Sequence, residues 1–437
     1  MKTSPGSGGG SRLQRLWRPA ENGRSPATVI LILLVLLVTA VLLGRFGIEN
    51  VGGALTYTGR ISGALLIVLS VTTLLGALAV VDHWFRNSFP PAGLVALIAT
   101  VAACAGNIFL LVTTARDGDS TPYLVLWCLL VVGSAWAALA VYRTLVVIPA
   151  PKRVAVAVVV TTAVAVANFG YENLYKPTQR EGRPRVDVVV GKPAVTKDRK
   201  AFAIPVDITL ENRSNVGFYV FGAEFHAMGE VVPLSPKDRL TQQWRADAQQ
   251  WGEYEQRPLS RREIHQPGDL VAAQPLVRGG SWIEPGDTVV TQTVVQLPMN
   301  TQYDQLAFYA SVSLASKDRL RLESFGQNGF SWKGVKLPQW MVDQNKWSSN
   351  PVDSVVSRGR VHEGNAIAEH TRDPRYVTVY WQFGKHGAGL KVAVTRDGEE
   401  DRELPDEENR DLRNWYGLAD VLTGPIERTL WDIKGRR

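Results

Sequence analysis

The chain is 437 residues long, carries a formal net charge of +7 and has two cysteines, Cys104 and Cys128. That length leaves room for two or three domains. The basic excess is lopsided: residues 1–175 hold 12 Lys and Arg against 6 Asp and Glu, whereas residues 176–437 hold 36 against 35. A nucleic-acid footprint needs cations gathered on one folded face, and these sit in the tail and short loops of an apolar half, so nucleic acid is set aside as a partner.

Residues 1–27, with the run Gly6-Ser7-Gly8-Gly9-Gly10, have the composition of a flexible basic tail. A hydrocarbon core of about 30 Å asks for roughly 20 apolar residues in a helix. Within residues 28–175 five stretches answer that need: 28–44, 61–81, 91–115, 123–142 and 154–171. The fifth is mostly Ala and Val, which also suit a buried strand, and is read as a span. The first outruns the roughly 7–15 apolar residues of a secretory signal and is followed by further spans, so it reads as an uncleaved helix.

Lys and Arg in short flanks mark the cytoplasmic side of a multipass protein. One set of flanks holds nine: Lys2, Arg12, Arg15, Arg18, Arg24, Arg86, Arg143, Lys152 and Arg153. The other holds three: Arg45, Arg60 and Arg116. The N-terminus is therefore expected in the cytoplasm, and after five spans the rest of the chain lies outside. Polar side chains inside a bilayer are costly and point to function or to helix–helix contacts. The spans carry few, and Asn107 is the candidate for an intramembrane polar contact.

Residues 176–437 change character. Val186, Val188 and Val190, then Ile204, Val206, Ile208 and Leu210, alternate with polar residues as half-buried strands do. Asn212-Arg213-Ser214-Asn215 reads as a turn, 217–225 as an aromatic strand, and Glu284-Pro285-Gly286-Asp287 as a turn before strands at 288–297 and 305–315. Between them, 236–275 reads as an insertion whose first part is helical and amphipathic. Further on, 359–370, 375–383 and 390–395 have strand composition, and 409–429 reads as a closing helix. The fold class expected is thus a membrane helical bundle of about five spans followed by a mainly β sandwich with helical insertions. Its soluble part divides into residues 176–320 and a β-rich stretch at 321–437, read as a second lobe or as strands added to the first sheet.

Chemistry is hard to find. The six histidines show no ligand spacing; His362 and His370, eight apart on one expected strand, would be far from each other. Asp397-Gly398-Glu399-Glu400-Asp401 lacks the oxygen spacing of a calcium loop. Ser324, Ser331 and Ser354 lack a Gly-x-Ser-x-Gly frame. The sequence offers no catalytic, metal or cofactor motif. What stands out is tryptophan: Trp332, Trp340 and Trp347 crowd one short segment and are candidates for an interaction surface, since such side chains anchor interfaces.

The strand at 204–210 ending in an Asn-rich turn, with the later Pro-Gly-Asp turn opening another strand, resembles immunoglobulin-like domains of cell-envelope proteins over residues 184–320. The whole chain resembles uncharacterised multipass membrane proteins of actinobacteria, a likeness that implies no activity. The expectation is a non-enzymatic protein of the cell membrane whose partners are the lipid bilayer and another membrane or envelope protein. A transporter or channel subunit with an accessory exterior domain stands second, and an enzyme on envelope substrates third.

Overall fold

A computed structural model describes residues 26–86, 88–144, 184–231, 241, 245, 268–345 and 352–431. The expected fifth span at 154–171, most of the amphipathic stretch after residue 239, and Trp347 lie outside these residues. The helices are α1 (Pro26–Gly53), α2 (Tyr57–Val81), α3 (Ala92–Asp117), α4 (Thr121–Thr144), α5 (Gln339–Asn345), α6 (Ala366–Thr371) and α7 (Asp406–Trp415). The chain forms two compact units. Unit 1 is residues 1–180 with Glu363–Asp373; unit 2 is 181–362 with 374–437.

In unit 1, α1, α2, α3 and α4 are each long and apolar enough to cross a membrane. They are apolar on all sides: Ile30, Val41, Val68, Leu129 and Val132 face outward, while Ile32, Leu36, Leu43, Trp127 and Ala137 are buried between helices. Such a helix belongs in lipid or a deep core. Close approach rests on small residues, as in other bundles that lack a hydrophobic force between helices. A Cβ on Gly63 of α2 would stand 2.8 Å from the Gly47 carbonyl oxygen of α1, and one on Gly76 would stand 2.0 Å from Ala99 Cβ of α3. Asn107 is buried, and its Nδ2 donates to Thr39 Oγ1 (3.1 Å) and to the Leu130 carbonyl (3.3 Å), joining α3 to α1 and α4. Among the described residues of these helices, no ionisable side chain is buried.

Residues Glu363–Asp373 complete unit 1. Asn365 caps α6 by accepting from Ala368 N, and Ile367 enters a core with Leu43, Phe46, Leu66 and Trp127. The segment also uses backbone groups that helix ends leave unsatisfied. Asp119 N and Ser120 N both donate to the Thr371 carbonyl at 2.9 Å, Leu55 N donates to the Gly364 carbonyl, and Ala366 N donates to Asn50 Oδ1 at 2.7 Å. His370 Nε2 lies 2.6 Å from Glu49 Oε2, with the Phe46 ring edge-on to the imidazole.

Unit 2 is built of antiparallel strands. The first sheet holds β1 (Arg185–Val190), β2 (Ala194–Val195) and β3 (Ala201–Glu211), with β7 (Thr288–Pro298) on the other side of β3. The second sheet has the order β13-β8-β4-β5, made of β4 (Phe218–Glu230), β5 (Asp269–Val277), β8 (Gln305–Ser316) and β13 (Leu418–Thr429), and β6 (Ser281–Ile283) also pairs with β4. The third sheet, β12-β11-β10-β9, comprises β9 (Leu320–Phe330), β10 (Asp353–Glu363), β11 (Arg375–Gly384) and β12 (Gly387–Arg396). One core joins the first two sheets: Ile204, Val206, Ile208 and Leu210 meet Phe225, Phe308 and Val312. Another joins the second and third through Phe221, Ala315, Val377, Val379 and Val394, closed by Leu412 and Tyr416 from α7 and its C-cap.

Two features differ from the sequence reading. The expected helix at 409–429 ends at Trp415, and Leu418–Thr429 instead pairs along β8. That stretch carries β-branched Val421, Thr423 and Ile426 and a Gly-Pro step, all poor in helices, and β8 has an edge to receive it. Residues on both sides of 320 therefore share one sheet. His362 and His370 do not lie on one strand, because β10 stops at Glu363 and Asn365 starts α6.

The two turns picked out in the sequence are bonded to each other. Asn212 is fully buried; its Nδ2 donates to the carbonyls of Val216 (2.8 Å) and Ile283 (3.4 Å), and its own carbonyl accepts from Gly286 N. Gly286 has φ +84, a conformation that favours glycine. Replacing Asn212 by Ala strands buried carbonyls and should destabilise the β unit by about 2 kcal/mol. Denaturant unfolding followed by tryptophan fluorescence checks this, and an unchanged midpoint would rule out a bridging role.

Candidate functional site

The third sheet carries the most functional chemistry on its face away from the shared core. Period-two alternation sends Val377 and Val379 inward and Thr378 and Tyr380 outward. The β10–β11 register sets Arg358 opposite Thr378 and Val356 opposite Tyr380. After β9 the chain makes a 3-10 turn, Ser331–Lys333, and Gly334 (φ +93) turns it back over this face. Met341 of α5 is fully buried against Val356 and Tyr380, with Leu337 and Trp340 packed on them. From the opposite side the loop after β12 closes in, and Trp340 Nε1 donates to the Glu400 carbonyl at 3.2 Å.

Between these two walls is a cleft of about 480 Å³. Arg358 lies in its floor. Its guanidinium sits 4.3 Å from the Tyr376 ring centroid, and Nη2 donates to Asp397 Oδ1 (2.8 Å) and Glu400 Oε1 (2.6 Å). A planar cation held by a ring face and two carboxylates keeps one orientation. Burial first, and the nearby Glu400 carboxylate second, push the Tyr380 phenol up to about 12. Burial also lowers Lys391, whose ammonium stands 5.8 Å from the Trp340 ring centroid.

The candidate tryptophans are not gathered in one place. Trp332 is half-exposed and belongs to a strip of rings: it lies 4.7 Å from Phe330 and 5.9 Å from Phe383, which in turn lies 5.1 Å from Trp381. Trp340 meets Tyr380 edge-on at 6.4 Å. Phe383 and Tyr380 point to opposite faces of β11, so Trp332 and Trp340 serve different surfaces.

A second polar group escaped sequence reading. Glu224 and His226 on β4 are both buried, with His226 Nδ1 3.0 Å from Glu224 Oε1 and Ser311 Oγ of β8 donating to the same oxygen at 2.7 Å. The Tyr309 ring stacks on the imidazole at 4.8 Å. At 1–3 % side-chain exposure these groups meet no solvent, so they serve to specify the packing of β4 against β8. The available signal was Glu224 and His226 interrupting an otherwise apolar strand. Among the described residues, no three His, Cys, Asp or Glu gather as a metal site would require.

Because the folded state keeps the Tyr380 proton while the unfolded chain releases it near 10.0, stability should fall as pH rises from about 10 to about 12. Urea midpoints measured across that range should decline more steeply in the parent than in Tyr380→Phe. Parallel curves would deny the burial of this phenol.

No family model matches the chain, and no curated protein matches it. Among solved structures it is similar to the crystal structure of Spo0M, a sporulation control protein from Bacillus subtilis, at 10 % identity over 55 % of this chain and 90 % of that one, with a TM-score of 0.18. At that score the likeness carries no argument about fold or function.

Proposed function

We propose that this chain is a non-enzymatic multipass protein of the cell membrane, with its N-terminus in the cytoplasm and an immunoglobulin-like β domain outside that binds another membrane or envelope protein. The observation that carries the orientation lies within unit 1. Residues Glu363–Asp373 are bonded at the end of the bundle where α1 passes to α2 and α3 passes to α4, through Asn50, Leu55, Asp119 and Ser120. That is the end flanked by the three cations rather than the nine, hence the exterior one by the positive-inside rule. Helix α4 runs from that end to Thr144 at the other. The apolar run at 154–171 is long enough for one further crossing.

Support for interaction rather than transport comes from two sides. The described helices bury hydroxyls, Asn50 and Asn107 but no ionisable group, whereas ion and proton paths usually carry one. The strip of Phe330, Trp332, Trp381 and Phe383 offers a half-covered aromatic surface of the kind that anchors protein interfaces. Two closely packed antiparallel sheets, with the Asn212 turn bonded to the Gly286 turn, favour the immunoglobulin-like description.

The deciding experiment is topology. Single cysteines at the exposed positions Thr288 and Gln327, in a background with Cys104 and Cys128 replaced by Ala, are treated in intact cells with a membrane-impermeant thiol reagent. Labelling before lysis is expected; labelling only after lysis would place the β domain in the cytoplasm and end this proposal. For the surface itself, Trp332→Ala should leave the unfolding midpoint within about 1 kcal/mol of the parent, as exposed sites do, and should abolish site-specific crosslinking to the partner from Gln327. Undiminished crosslinking would remove the aromatic strip from the interface.

A further inference from the structure

The cleft on the outer face of the third sheet has the donors, acceptors and charge of a ligand site, which goes beyond an interaction role for the aromatic strip. Thr378 is only 2 % exposed, yet its Oγ1 has no hydrogen-bond partner among the described residues, and neither does Nε of Arg358. Both residues line the cleft. Buried polar groups almost always find a partner, because leaving one unpaired forfeits its hydration without return. The Tyr380 phenol lines the same floor and, like any phenol at neutral pH, is a proton donor. The groups to be satisfied are thus one N–H donor and one hydroxyl that both donates and accepts, with the Tyr380 hydroxyl beside them.

Charge narrows the ligand. Asp397, Glu400 and Asp401 line the cleft against Arg358 and Lys336, three negative groups against two positive. Arg358 is already clamped by Asp397 and Glu400, so its charge is spent within the wall. An anion such as a phosphate or a free carboxylate would meet net repulsion. The carboxylates retain lone pairs that accept from hydroxyls. Val335, Pro338 and Val356 give the cleft an apolar strip. A molecule that donates and accepts from the same atoms, is uncharged, and has a C–H face meets all three conditions. Its size is set by the cleft, at 480 Å³ within the range of roughly 300–1,000 Å³ that small organic ligands occupy.

We propose that this cleft binds a neutral polyhydroxylated ligand, one or two rings of a saccharide, with Thr378, Arg358 and Tyr380 holding its hydroxyls from the floor and Asp401 accepting at the rim. Binding is read on the isolated full-length protein, so it stands or falls independently of which side of the membrane the domain occupies.

The test uses the full chain in a zwitterionic detergent, since a glucoside or maltoside detergent would itself compete. Cellobiose, maltose and N,N′-diacetylchitobiose are the probes, with glucose 6-phosphate as the anionic comparison, followed by saturation-transfer NMR and titration calorimetry. At least one neutral disaccharide should receive saturation, and the phosphorylated sugar should bind at least about tenfold more weakly. Thr378→Val keeps the shape and removes the hydroxyl, and should weaken binding about five- to tenfold. Should that variant unfold, Asp401→Asn on the exposed rim serves instead, with a loss of about threefold or more. Saturation of none of the disaccharides overturns the proposal. So does equal affinity for the phosphorylated sugar, or an unchanged affinity in a folded variant.

Discussion

β4 and β8 bury side chains toward both of their faces, and the organisation of unit 2 follows from that need. Along β8 the large side chains Leu306, Phe308, Val312 and Leu314 turn to the first sheet, while Ala307, Tyr309, Ser311, Ser313 and Ala315 alternate with them. Apart from Tyr309 that second face is made of small residues, and a second layer comes close: Gly222 of β4 lies so near Leu390 of β12 that a Cβ there would stand 2.9 Å from it. With the third sheet committed to that contact on one side, its other side is left for α5 and the acidic loop, and the cleft forms there. Polar residues in the shared layer pair with one another in part: Glu224 Oε1 meets His226 Nδ1 and Ser311 Oγ, while His226 Nε2 is buried with no hydrogen-bond partner among the described residues.

Unit 1 obeys a different solvent. Its helices have no polar side to turn to water, so their association depends on shape, chiefly the glycines at 47, 63 and 76, and on a few internal bonds such as those of Asn107. The ends of the helices are where backbone groups go unsatisfied, and one end is completed by a piece of chain more than two hundred residues later. Asn50 contributes to this from inside α1, fully buried in its last turn.

Much of this was legible in the sequence because period and apolar length are local properties. The four described spans begin and end within a few residues of the apolar runs, except that α1 continues to Gly53, where Arg45 and Glu49 pair one turn apart on its surface. The strand from Ala201 to Glu211 shows every alternate residue buried, as its pattern required. Strands covered on both faces lose that alternation. Leu418–Thr429 was misread because a strand added at a sheet edge is decided by its partner, β8, a hundred residues away. The cleft was invisible for the same reason: its floor comes from β10 and β11, its walls from residues near 336 and near 400. Spacing along the chain gave Trp332 and Trp340 a common role, but the turn at Gly334 sends them to opposite faces of β11.

The connection between β10 and β11 is, by chain position, a hairpin tip, and tips are where homologous chains ordinarily gain and lose residues. Here it is fixed at both ends by paired strands, Val361 opposite Arg375, and along its length by Gly364, Ile367, His370 and Thr371. An inserted residue would shift Thr371 away from Asp119 and Ser120 or pull Ile367 out of its socket. The segment has therefore exchanged the usual freedom of a loop for the length constraint of a core element. Tags and reporter insertions belong elsewhere, at exposed turns such as Lys197–Arg199.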